Sequence, residues 1–80
     1  MEISILAFGI ARDIVGESEF AFPVREDQTV TQLKEALIAA YPDFATLASF
    51  AIAVNGSYVA DDHLLNRNDE VVIIPPVSGG

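Results

Sequence analysis

The run Val71-Val72-Ile73-Ile74 carries apolar β-branched side chains at odd and even positions alike, and Pro75-Pro76 closes it. Alternate residues of a strand face opposite ways, so this strand is apolar on both faces and belongs at the centre of a sheet. It needs a neighbour of the same kind, and Glu2 to Ile10 is the only candidate, with Ile3, Ile5 and Ala7 on one side and Ser4, Leu6 and Phe8 on the other. First and last strands paired in parallel, at the middle of a sheet, are thus the framework on which everything between them must be arranged.

The intervening sequence supplies the other elements. Gly16 marks a turn, after which Phe20, Phe22 and Val24 alternate in a second strand that pairs with the first as a hairpin; Pro23 assigns it to an edge. Thr29 followed by Gln32 has the form of a capping box, and Val30, Leu33, Leu37 and Ala40 recur at helical spacing until Tyr41-Pro42 ends the run. Residues 43–50 hold a short helical turn with Phe44 and Leu47 inward. Asn55-Gly56 joins strands Ala51 to Val54 and Ser57 to Val59 in a tight hairpin. Asp61-Asp62 leads through a turn into a short helical segment at Leu64-Leu65, and Asn68-Asp69 turns into a last strand from Glu70 to Pro75. The resulting class is α+β: a ubiquitin-like β-grasp with a mixed sheet and one main helix across one face. Residues 1–74 form the domain and 75–80 a flexible tail.

Composition excludes several functions. An 80-residue domain buries only about 60% of its unfolded surface, and the 51% apolar content answers that need. With no cysteine and only His63 as a histidine, there is no disulfide framework, thiolate metal site or imidazole cluster, and we expect no metal and no bound cofactor. His63 reads as a turn residue. Four Lys+Arg against twelve Asp+Glu give a formal charge of −8, which repels nucleic acid and anionic lipid. The start Met1-Glu2 lacks a cationic leader, and no apolar stretch approaches the roughly 20 residues of a membrane helix. A cytoplasmic protein is expected.

Two surfaces stand out as functional. With Ile3 and Ile5 under the helix, Leu6 and Phe8 point to the opposite face; Phe8 is either an exposed docking residue or is covered by the 43–50 loop. Asp61, Asp62, Asp69 and Glu70 form either an acidic patch or ordinary solvated turn residues. The second surface is the end, Pro75-Pro76-Val77-Ser78-Gly79-Gly80. Glycine has no side chain to bury and is costly to order, so a terminal pair does little for folding. Extended, six residues reach about 20 Å. Two prolines stiffen the base and two glycines leave the tip slim enough for a narrow channel, so the reactive group is expected to be the terminal carboxylate, which must first be activated as an acyl-adenylate.

The segment Asp69-Glu70-Val71-Val72-Ile73-Ile74-Pro75-Pro76-Val77-Ser78-Gly79-Gly80 closely resembles the end of the small, sulfur-carrying subunit of molybdopterin synthase. Leu6 through Gly16 is similar to that family's opening strand and turn, including Phe8, Arg12 and Gly16, and the resemblance covers nearly the whole chain. It implies that Gly80 is adenylated by an E1-like enzyme using ATP and converted to a thiocarboxylate by a sulfur donor, a sulfurtransferase or cysteine desulfurase. It also implies insertion of Pro75, Pro76, Val77, Ser78 and Gly79 into the large synthase subunit, where most of the active site lies, within a heterotetramer. There the sulfur would pass to cyclic pyranopterin monophosphate to build the dithiolene. Phe8 and Arg12 match the family's partner-binding positions. Asn68 replaces the family's usual glycine and is expected to keep the turn by tolerating left-handed backbone. Other readings are a sulfur carrier for thiazole or tRNA thiolation, which usually lacks Pro-Pro-Val, a ubiquitin-like modifier, or an interaction domain without chemistry at its end.

Overall fold

The computed structural model describes residues 1–47 and 49–76. Strands β1 (Glu2–Ala7), β2 (Glu19–Pro23), β3 (Ala51–Val54), β4 (Ser57–Tyr58) and β5 (Glu70–Ile74) form one sheet in the order β2-β1-β5-β3-β4. The framework expected from the two apolar strands is observed: β5 lies at the centre, parallel to β1 with Ile5 opposite Val71 and Ala7 opposite Ile73, and antiparallel to β3. β2 is an edge strand antiparallel to β1, as Pro23 requires.

The main helix, α2 (Val30–Ala40), begins at Thr29, whose hydroxyl accepts from the Gln32 N–H at 3.2 Å while Gln32 Oε1 accepts from the Thr29 N–H at 3.0 Å. Both arms of the capping box are therefore made. Val30, Leu33 and Leu37 are buried from this helix, whereas Ala40, expected on the same face, is exposed at its end. They pack with Ile3, Ile5 and Ala7 of β1, Phe20 and Phe22 of β2, Ile52 and Val54 of β3, and Val71 and Ile73 of β5. A short 3₁₀ turn (Pro42–Thr46) buries Phe44, while Leu47 is half-buried. The Phe44 ring meets those of Tyr41 and Phe50 at centroid distances of 6.2 and 5.2 Å, which closes the core beneath the end of α2.

Several expectations are corrected. β1 stops at Ala7 because Gly9 adopts a positive φ of 54°, and a second helix, α1 (Gly9–Val15), occupies the remainder of the expected strand. Gly16 ends it in the left-handed conformation, its N–H donating to the Arg12 carbonyl at 2.7 Å. β1 and β2 still pair as the expected antiparallel hairpin, with α1 and the turn at Gly16 forming their connection. Residues 61–65 contain no helical segment. They run as a strap along the start of α2, where the Asp61 and His63 carbonyls accept from the N–H groups of Thr31 and Val30, both at 3.0 Å. Those donors have no partner inside the helix, so the strap does what a further cap would do. Leu65 is buried beneath it and Leu64 forms a bridge to Thr29. The turn before β5 is kept without left-handed backbone at Asn68: the described non-glycine residues with positive φ are Asp27 and Asn55. The Asp69 carboxylate holds it instead, accepting from the Asn66 N–H at 2.8 Å.

Candidate functional site: the open sheet face and the tail exit

α2 covers one side of the sheet, and the residues of β1 and β5 that alternate with the core face the other side. Register places Leu6 beside Val72, Val72 beside Ala53, and Ala53 beside Tyr58, so one apolar row crosses four strands. Ala51 beside Ile74 begins the next row. Leu6, Val72, Ile74 and Ala51 are half-buried; Ala53 is enclosed by its neighbours, and Tyr58 at the edge is exposed. At the opposite end of the strands the same face turns polar, with Ser4 beside Glu70 and Ser4 Oγ donating to Glu19 Oε2 at 3.1 Å.

Phe8 lies where this apolar row meets the end of the sheet. It follows Ala7 directly and is the residue before α1, with extended backbone (φ −129°, ψ 161°), and its side chain is 56% exposed. The 43–50 segment does not cover it. Arg12 follows one helical turn later, its N–H donating to the Phe8 carbonyl at 3.3 Å, and its side chain is exposed. The backbone bond sets Arg12 one helical turn from Phe8, at the same end of the sheet. Among the described residues the guanidinium has no ion pair.

Because β1 and β5 are parallel, their C-terminal ends lie together. One position beyond the Ala7–Ile73 pair stand Phe8 on one strand and Ile74 on the other, and Pro75 and Pro76 follow, both half-buried. Pro75 cannot donate a ladder hydrogen bond, so β5 ends at Ile74, one residue before the expected end at Pro75. The chain therefore leaves the sheet at the end marked by Phe8 and Arg12. The other expected site residues, Val77, Ser78, Gly79 and Gly80, lie outside the described residues.

Of the acidic residues read either as a patch or as ordinary turn residues, Asp61, Asp69 and Glu70 make bonds within the fold. The Asp61 carbonyl caps α2, and its carboxylate pairs with Lys34 Nζ at 3.4 Å. Asp69 Oδ1 accepts from Asn55 Nδ2 at 2.9 Å, and the Glu70 N–H donates to Asn55 Oδ1 at 2.9 Å. His63 is a turn residue that lends its carbonyl to α2. Val72, Ile74, Ala53 and Tyr58 were missing from the sequence-derived site. The alternation of β5 contained the first two, since a strand apolar on both faces must present half of itself away from the helix.

A mixed five-stranded sheet with parallel first and last strands, grasped by a crossing helix and ending in a Pro-Pro exit beside an exposed aromatic residue, defines a ubiquitin-like β-grasp domain. More particularly, residues 5–80 match the ThiS family, and the chain belongs to it. It is 35% identical over 83 residues to the molybdopterin synthase sulfur carrier subunit of Chlamydomonas reinhardtii, with all of both chains covered. Identity is also 35% over 82 residues to the Escherichia coli protein of that name, covering 98% of this chain and 99% of the relative. Among solved structures, a Pyrococcus furiosus protein provisionally named subunit 1 of a molybdopterin converting factor superposes with a TM-score of 0.86 at 28% identity, covering 96% of this chain and 99% of that one. The small archaeal modifier protein 1 of Haloferax volcanii shares the fold at a TM-score of 0.81 and 21% identity, covering 95% of this chain and 98% of that one. So does a chain in the Helicobacter pylori complex of subunits 1 and 2 of molybdopterin-converting factor, at a TM-score of 0.67 and 23% identity with both chains fully covered. No helix among the described residues is long and apolar enough to cross a membrane.

Proposed function

We propose that this chain is the sulfur carrier subunit of a molybdopterin synthase, with Gly80 as the carrying residue. The observation that supports this most directly is the full-length likeness to relatives of that name, which extends through the terminal glycines, on a fold whose central strand delivers Pro75-Pro76 beside Phe8 and Arg12. The carboxylate of Gly80 attacks the α-phosphorus of ATP on an E1-like adenylyltransferase and pyrophosphate leaves; the persulfide of a sulfur donor then displaces AMP to form an acyl disulfide, which a thiol reduces to the thiocarboxylate, its own sulfur leaving in a disulfide with the donor. Adenylation is needed because a carboxylate resists attack through its charge and resonance, whereas an acyl phosphate carries a good leaving group.

The open face then docks on the large synthase subunit, with the row from Leu6 to Tyr58 as its apolar centre and Phe8 as an aromatic anchor. The tail from Pro75 to Gly79 enters that subunit's active site. The thiocarboxylate sulfur, a soft anionic nucleophile, attacks an electrophilic carbon of cyclic pyranopterin monophosphate, where a C–S bond forms as a C–O bond breaks and the oxygen substituent leaves. Water then cleaves the acyl C–S bond and regenerates the Gly80 carboxylate. One carrier supplies one sulfur, so a dithiolene needs two deliveries.

The test has two stages. Co-expression with an E1-like enzyme and a sulfur donor should raise the intact mass by the exchange of one oxygen for sulfur at Gly80. The modified protein, mixed with an active large subunit and cyclic pyranopterin monophosphate, should then yield molybdopterin. Absence of the mass change under competent conditions sinks the carrier reading. A mass change without molybdopterin redirects it to thiazole or tRNA thiolation.

A further inference from the structure

The β3–β4 hairpin turns at Asn55-Gly56, an exposed pair with φ of 52° and 85°. An Asn-Gly pair is chemically fragile, because glycine has no side chain to shield its N–H. The Gly56 nitrogen attacks the Asn55 side-chain carbonyl carbon, ammonia leaves, and water opens the resulting succinimide to aspartate or isoaspartate. Attack requires the amide to swing over the following peptide. Here it is held elsewhere: Asn55 Nδ2 donates to Asp69 Oδ1 at 2.9 Å, Oδ1 accepts from the Glu70 N–H at 2.9 Å, and the Asn55 N–H donates to the Glu70 carbonyl at 2.8 Å. The second oxygen of Asp69 is fixed by the Asn66 N–H at 2.8 Å.

We infer that Asn55 is a deamidation site latched by Asp69, and that its conversion to a carboxylate releases the β3–β4 hairpin from the start of β5. Two features give the reaction this consequence. The product has lost the Nδ2 donor, and it sets a carboxylate where an amide now lies 2.9 Å from the Asp69 carboxylate, so attraction becomes repulsion. The isoaspartate product in addition lengthens the main chain by one atom inside a two-residue turn, which breaks the Ala53–Tyr58 register. Both residues belong to the open face, so the modification acts on the docking row without touching the tail.

The latch is tested on the full chain by following the amide-to-acid mass gain at Asn55 in mildly alkaline buffer, beside a synthetic peptide spanning residues 53–59. The folded chain should react at least about tenfold more slowly than the peptide, since reaction must wait for local opening. Asp69→Ala should approach the peptide rate. Thr29→Ala, which weakens the fold through the helix cap and leaves the latch intact, should stay near the parent rate. Equal rates for chain and peptide, or equal acceleration by Asp69→Ala and Thr29→Ala, overturn the latch. Independently, Asn55→Asp should lower Tm by roughly 5 °C, and adding Asp69→Asn should restore most of that by removing one charge. A double variant no more stable than Asn55→Asp alone refutes the repulsion.

Discussion

Strands β1 and β5 show two kinds of surface, one on each side of the same backbone. Toward α2 they present Ile3, Ile5, Ala7, Val71 and Ile73, each at most 2% exposed. Away from it they present Leu6, Val72 and Ile74, half-buried, leading to Phe8 at 56% and Tyr58 at 71% exposure. The apolar residues on the two sides have different uses. Burial stabilises the first set in the isolated chain; the second set gains its full burial only when something covers it. A formal charge of −8 opposes self-association of the open side at neutral pH.

Adjacent residues of β5 separate the two sides most strongly. Ile73→Ala empties a fully buried site and should cost about 2–5 kcal/mol. In a domain of this size each kcal/mol lowers Tm by about 4–8 °C, so the variant should be close to unfolded at ordinary temperature. Val72→Ala, on the half-buried side, should cost less than about 1 kcal/mol. Urea denaturation measures both as a shift in midpoint at constant slope; equal shifts would show that the open face is a second core.

Next in size is Thr29→Ala, which removes one arm of the capping box and should cost about 1 kcal/mol. The Asp61 and His63 carbonyls still receive the Thr31 and Val30 N–H groups, so α2 should persist by circular dichroism. The residue supports only the covered side, and affinity for the large subunit should stay at its parent value. A loss of affinity would mean that the two sides are coupled through α2.

The covered side was readable in the sequence because local chemistry and long-range packing agree there. Thr29 and Gln32 mark a helix start that the structure forms, and Val30, Leu33 and Leu37 carry its buried stripe. Val71 to Ile74 carry the central strand, and Asn55-Gly56 the hairpin. α1 was hidden because the alternation of β1 runs on through Phe8 toward Ile10, and a helix of seven residues is too short to show a clear helical repeat. The deciding features were Gly9 and Gly16, both with positive φ, one ending the strand and the other the helix. The 61–65 strap was unreadable for another reason: its backbone bonds go to α2, thirty residues away, and no local pattern encodes that. At the open face, Phe8 was proposed from its alternation in β1, but Ala53 and Tyr58 join it only through the β5–β3–β4 register.

Phe8→Ala separates stability from docking. An exposed residue outside the core should change stability by no more than about 0.5 kcal/mol. As an aromatic anchor at a partner interface its removal should cost at least about 2 kcal/mol of binding, roughly thirtyfold in affinity. Titration calorimetry against the large subunit reads the second effect and thermal unfolding the first. Arg12→Ala, at the rim, should act more weakly and mainly on the association rate and its salt dependence. If Phe8→Ala leaves binding unchanged, the ring is not the anchor and Tyr58 at the far end of the row becomes the residue to vary.

The smallest effect on folding should come from the change with the largest effect on chemistry. Among the described residues, the last of the core is Ile73, and β5 makes its last ladder contact at Ile74, opposite Ala51. Deleting Gly80, which follows both in sequence, should change the unfolding free energy by less than about 0.5 kcal/mol. If the open face docks as proposed, affinity for the large subunit should fall only modestly. Sulfur transfer should vanish, because the terminal carboxylate moves back by one residue, about 3.3–3.6 Å of extended chain, and Gly79 no longer reaches the position that Gly80 occupied. Retained transfer would show that the activating enzyme reads the open face alone and accepts any small terminal residue. Lost stability would place the glycines in the fold. Intact mass after the sulfur-loading reaction, paired with a melting curve on the same sample, distinguishes these outcomes.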